Sequence, residues 1–120
     1  MSLSKYLAYG VGFLFMVLHS NVYAQTDKQN EAQKKLLKEG KVYYEKYSCK
    51  SCHGDKGVLQ GNLTKAFEKY NDEQMILYIR DPHKFNNYRM PVYELVIPEE
   101  AYKPLVAYIR WLGQGAARIK

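Results

Sequence analysis

The chain has 120 residues, two cysteines and a formal net charge of +6, with 47% of its residues hydrophobic. That length allows one small domain and excludes a multidomain enzyme. The charge suits an acidic protein partner or an anionic membrane face, and it excludes a nucleic-acid binder, because no dense Lys/Arg run or recognised binding motif accompanies it.

The first segment reads as an export signal spanning 1–24. Lys5 gives a positive start, an apolar run covers 6–18, and Val22-Tyr23-Ala24 resembles a small-residue cleavage site before Gln25. The run is shorter than the ~20 apolar residues a membrane-spanning helix needs. His19, Ser20 and Asn21 interrupt it early, so an uncleaved membrane anchor through 6–24 is the alternative. No cysteine lies near the cleavage point, which argues against a lipid anchor there. Residues 25–31 are polar and read as a flexible linker, leaving 32–113 as the folded domain and 114–120 as a tail.

A helix is expected next. Leu36, Gly40, Tyr43, Tyr44 and Tyr47 fall at i, i+4, i+7, i+8 and i+11, one stripe on a 3.6-residue period, with lysines and glutamates opposite. Gly40 costs such a helix about 1 kcal/mol relative to alanine, so a close approach by another backbone would explain it.

The most informative residues follow: Cys49-Lys50-Ser51-Cys52-His53. Two cysteines three apart with a histidine directly after are what covalent haem attachment requires. Each thiol can add across one porphyrin vinyl group, and His53 is placed to become the proximal ligand of the iron. Both cysteines are in the motif, so none is left for a structural disulfide even though the export signal points to an oxidising compartment. A zinc site would want four ligands, and His19 and His83 supply no second pair at suitable spacing. A thioredoxin-like thiol pair would need strands alternating with helices, and no strand pattern is present. A covalently held porphyrin would also supply the apolar body that so small a core lacks.

Gly54, Gly57 and Gly61 mark a loop over 54–62, and a short helix is expected over 64–70. Asn71 reads as an N-cap with Gln74 three residues on, opening a helix through Met75, Ile76 and Ile79 that Asp81-Pro82 ends. Residues 82–97 read as irregular chain. The last helix should begin near Pro98, with Glu99 and Glu100 at its positive end, a kink or restart at Pro104, and Gly113 as its C-terminal cap. Leu105, Tyr108, Ile109 and Leu112 repeat along it at helical spacing. The expected fold is all-α.

Over 36–112 these residues resemble a class I cytochrome c, the small single-haem family. The resemblance rests on the haem motif, on Gly40 and Tyr44 ahead of that motif, on Met90-Pro91 after it, and on Leu105-Val106-Ala107-Tyr108-Ile109 near the end. It implies three to five short helices wrapped around one covalently attached haem c, with the first and last helices crossing at Gly40 and Tyr108. It implies that Cys49 and Cys52 carry the haem and that His53 and Met90 are its axial ligands. A thioether in the sixth position favours ferrous iron more than a second imidazole would. His83 is the competing sixth ligand, and Met75 reads as packing on a helix stripe.

Three features depart from the family pattern. No proline lies between His53 and Pro82 to supply a carbonyl for the proximal imidazole, so a backbone carbonyl near Gly61 or Asn62 would have to serve. The gap from Gly40 to Cys49 is one residue longer than in the commonest members of that family, and Pro104 falls inside the final helix.

Asn86, Asn87 or Tyr88 are candidates for a hydrogen bond to the methionine sulfur or a haem propionate. Tyr43, Tyr44, Tyr47, Tyr78, Tyr93, Tyr102 and Tyr108 read mostly as pocket or interface packing. Lys46, Lys50, Lys56, Lys84 and Arg89 either ring an exposed haem edge or form an ordinary solvated face. The leading expectation is an exported, periplasmic, monomeric one-electron carrier with no catalytic residues and an acidic redox partner. The alternatives are a dedicated haem subunit of a larger oxidoreductase, and a haem enzyme or sensor with an open distal site.

Overall fold

The structure is a computed structural model that describes the backbone of residues 4–115 and the side chains of residues 25–115. The described residues form five α-helices and one 3-10 turn: α1 (Ser4–Lys46), α2 (Cys49–His53), α3 (Leu63–Lys69), α4 (Asp72–Arg80), the turn Pro82–Phe85, and α5 (Glu99–Gly115). No strand occurs among the described residues, as the all-α expectation required. The chain divides into two units, residues 1–34 and 35–120. The first is helical over its described residues from Ser4 on, and the side chains of the expected export signal at 1–24 lie outside the described residues.

Residues 25–31, expected to be irregular, are helical within α1. Their side chains are polar, but none is glycine or proline, and residues such as Gln, Lys and Glu lose little on entering a helix.

In the second unit the core is a cluster of side chains from α1, α4 and α5, with Tyr44, Ala101, Tyr102, Leu105 and Val106 at most 1% exposed. Fully burying an aliphatic side chain is worth about 1.5–3 kcal/mol, so α5 contributes more than any other element. Gly40 explains how α1 and α5 meet. A Cβ built on it would lie 2.0 Å from the Pro104 carbonyl oxygen and 2.6 Å from Tyr108 Cβ, so only glycine admits this crossing. The Tyr44 ring meets the Tyr108 ring edge-on at 5.4 Å beside the same contact.

Helix α5 runs through Pro104 with no restart and continues past Gly113 to Gly115. Proline leaves the carbonyl of Glu100 without its helical donor, but Glu100 is exposed and water can take that place. Gly113 is not a cap. It sits inside the helix against the start of α3, where an added Cβ would lie 3.1 Å from the Leu63 carbonyl oxygen and 3.3 Å from Thr64 Cα. One helix therefore carries two backbone approaches, at Gly40 and at Gly113.

Helix α4 opens with the expected capping box. The Asn71 side chain accepts from Gln74 N at 2.9 Å, and Asn71 N donates to Gln74 Oε1 at 3.0 Å. Asp81 ends α4 and caps the 3-10 turn by accepting from His83 N at 3.2 Å, so local order replaces part of the irregular stretch. Arg110 on α5 pairs with Asp72 at the first turn of α4, which ties the two helices together at the surface.

Candidate functional site: a cavity at the paired cysteines

Helix α2 is a single short turn that contains the whole motif from Cys49 to His53. It is set apart from α1 by Tyr47 and Ser48, where Ser48 takes the left-handed conformation at φ 60° and accommodates the longer connection. Two hydrogen bonds strap the following loop back over the motif, Leu59 N to His53 O at 3.2 Å and Gln60 N to Cys52 O at 3.0 Å. Tyr44 holds the same loop from beneath by donating its hydroxyl to the Gly54 carbonyl at 2.8 Å.

The two thiols are free of each other and unequal in environment, Cys49 buried and Cys52 exposed. Burial pushes the Cys49 thiol up to about 11, so it stays protonated at neutral pH rather than acting as a redox thiolate. Among the described residues no cluster of three or more His, Cys, Asp or Glu could hold a metal ion, so the zinc reading has no site there.

The proximal-imidazole partner is where the missing proline left it to be. His53 Nδ1 lies 3.2 Å from the Gly61 carbonyl oxygen. A carbonyl only accepts, so in this bond Nδ1 carries the proton and Nε2 keeps its lone pair for a metal. Gly61 adopts φ +74°, and this turns its carbonyl toward the imidazole.

Two adjoining cavities open at the motif, of about 320 Å³ and 530 Å³. Both are of the size of small-molecule and cofactor sites, about 300–1,000 Å³. Cys49, His53, Gly61, Asn87 and Met90 line both of them. The smaller cavity is otherwise bounded chiefly by α3, α4 and α5, through residues such as Leu63, Ala66, Met75, Ile79 and Ile109. The larger one holds Cys52, Arg89, Pro91 and Tyr93.

Among the candidates for a second axial ligand, the half-buried Met90 faces both cavities. His83 is exposed, meets Tyr88 in a tilted ring contact with centroids 5.2 Å apart, and lines neither cavity. Met75 is buried and borders only the smaller one. Of the three polar candidates in the distal loop, Asn87 alone lines the cavities. It donates from Nδ2 to the Tyr78 hydroxyl at 2.8 Å and accepts from Arg89 N at 3.2 Å. Of the five expected rim cations, only Arg89 reaches a cavity; Lys50 is paired with Asp55 at 2.6 Å and Lys84 with Asp81 at 3.3 Å.

The sequence reading missed the contribution of α3. Leu63, Ala66 and Tyr70 fall at i, i+3 and i+7, a stripe that marks the cavity wall but is too short to stand out as a period.

An all-helical shell built around paired cysteines with a neighbouring histidine defines a c-type cytochrome. The family model described as cytochrome c oxidase, cbb3-type, subunit III, matches residues 35–109, and the chain belongs to that family of c-type cytochromes. No curated protein and no solved structure matches the chain. Haem c, covalently bound, is the group the family carries. The residues fit it: two free thiols at the mouth, an imidazole with Nε2 left open, and a largely apolar lining.

Proposed function

We propose that this chain is an exported carrier of single electrons, with one haem c attached through Cys49 and Cys52 and with His53 and Met90 as the axial ligands. The observation that carries this reading is that His53 and Met90 line the same two cavities while His83 lines neither. Haem iron, when bound, supplies the Fe(III)/Fe(II) couple.

The chain's own residues do the rest. The Gly61 carbonyl holds the His53 proton at Nδ1 and fixes the ring's orientation. Met90 offers a soft, neutral thioether that suits the ferrous state. Tyr44, Met75, Ile79 and Ile109 keep water from the interior face. With protein ligands on both sides no position is open to oxygen or peroxide, so no catalytic residue is assigned. The net positive charge, which remains once Lys5 is removed with residues 1–24, favours a weak, transient complex with an acidic redox partner. Export with removal of 1–24 and a monomeric state complete the reading. Among the described residues no helix is long and apolar enough to cross a membrane.

The test is the optical spectrum of the exported, oxidised protein. It should show a sulfur-to-ferric-iron charge-transfer band that Met90→Ala removes and His83→Ala leaves intact. High-spin ferric iron in the unmutated protein would sink the proposal and support an open distal site.

A second reading, a haem subunit of a larger oxidoreductase, is favoured by the printed name of the matched family. Purification of the chain from native cells, soluble and membrane fractions both, distinguishes the two: a constant ratio to a catalytic subunit supports the subunit, and recovery alone supports the carrier.

A further inference from the structure

Lys50, Arg80, Lys84 and Arg110 each have a carboxylate partner. The cations that line the cavities, Lys65 and Lys69 in the smaller and Arg89 in the larger, have no carboxylate partner among the described residues. No aspartate or glutamate lines either cavity. A largely apolar cavity edged by cations that have no carboxylate partner, with Lys69 Nζ lying 5.1 Å from the centre of the Tyr70 ring, is electrostatically complementary to an anionic ligand group.

Haem chemistry decides which cations are used. The two propionates leave the porphyrin from the edge opposite the vinyl carbons to which cysteines add. Both cysteines line the larger cavity, whereas the smaller one reaches away from Cys52 toward α3 and α4. Lys65 and Lys69 are one turn apart on α3, so they share a face of that helix.

From this arrangement we infer that Lys65 and Lys69 are the propionate-binding residues of this chain, while Arg89 is not. The inference rests on the haem reading above and adds to it the residues that receive the two carboxylates. Positive charge beside a propionate favours its ionised form. Propionate ionisation in turn favours ferric iron, so the reduction potential steps down as pH rises through it. The two lysines therefore set the pH at which that step occurs. The other titratable side chains of the smaller cavity, apart from the cysteine and histidine anchors, are Tyr44 of α1, Tyr70 after α3 and Tyr78 of α4, all phenols.

The experiment is a redox titration of the matured holoprotein across the acid to neutral range. It compares the unmutated chain, Lys65→Gln/Lys69→Gln, Lys65→Arg/Lys69→Arg and Arg89→Gln. The step should move up by about half a pH unit or more in the double glutamine variant, return in the double arginine variant, and stay in place in Arg89→Gln. An unchanged step in the double glutamine variant, or an equal shift in Arg89→Gln, overturns the assignment. Each variant's sulfur-to-iron band is recorded alongside. Its presence with an unmoved step rejects the lysines alone, whereas its absence from the unmutated protein rejects the haem-ligand reading beneath them.

Discussion

Gly40 shows how much one missing side chain can decide. Its neighbours across the crossing are the carbonyl oxygen of Pro104 and the Cβ of Tyr108, backbone and near-backbone atoms that cannot swing aside. Gly40→Ala should therefore cost about 1–3 kcal/mol, at the upper end for overpacking, despite the gain in helix propensity that alanine brings. Guanidinium unfolding of the holoprotein checks this, and an unchanged midpoint would contradict it.

The sequence made this glycine legible because a helix-weakening residue on an apolar stripe needs a reason. Gly113 was not legible, since a glycine near the end of a helical pattern has the same signature whether it caps the helix or admits a neighbour. Its partner, the start of α3, lies some fifty positions earlier in the chain.

The buried phenols give the molecule a pH limit. Burial pushes Tyr44 up from its ordinary value near 10, and pushes Tyr93, Tyr102 and Tyr108 the same way. The folded protein thus holds these protons more tightly than the unfolded chain. The stability this contributes is complete below about pH 10 and is lost as pH rises beyond it. Denaturant midpoints of the holoprotein should fall above pH 10. In Tyr44→Phe the midpoint should be lower at neutral pH, by about 1 kcal/mol for the hydrogen bond lost to the Gly54 carbonyl, and the alkaline decline should be shallower. An alkaline decline as steep as in the unmutated protein would contradict the role given to Tyr44.

At the scale of elements, the distal loop that presents Met90 is pinned where α4 ends. The Arg80 carbonyl accepts from both Tyr93 N and Glu94 N at 3.0 Å. The Arg80 guanidinium pairs with Glu99 and lies 4.6 Å from the centre of the Tyr102 ring, and Tyr102 donates its hydroxyl to the Tyr93 carbonyl at 3.3 Å. Arg80 therefore joins α4, the loop and the start of α5.

Under the proposed Met90 ligation, Arg80→Leu should lower the denaturant concentration at which the sulfur-to-iron band is lost, while helical circular dichroism persists, a loss of about 1–2 kcal/mol of loop stability. Glu99→Gln should change it by less than about 0.5 kcal/mol, because Glu99 is exposed and a solvated ion pair contributes little. Equal effects of the two substitutions would contradict this account.

This anchor could not be read in the sequence, because it depends on where Arg80 lands relative to Tyr102. The capping box at Asn71 could, because a cap is written entirely in residues three apart. The restart considered at Pro104 does not occur. The rule that proline breaks a helix assumes that the freed carbonyl has no other partner, and here that carbonyl belongs to an exposed residue.

Over the whole molecule, every helix of the second unit contributes to the walls of one pair of cavities, and the motif at Cys49–His53 stands at their common edge. The fold class was legible because the apolar residues of the first and last helices recur at helical spacing on either side of the haem motif. The helicity of 25–31 was not, because polar composition alone does not distinguish a solvated helix from a coil.

The claim on which the account depends is that both cysteines are consumed in binding one haem. Intact mass of the natively matured protein, measured after denaturation and treatment with a thiol alkylator, tests it most directly. The mass predicted is that of the chain plus one haem, with no alkyl group added at Cys49 or Cys52. A haem-free mass with both thiols alkylated would contradict it.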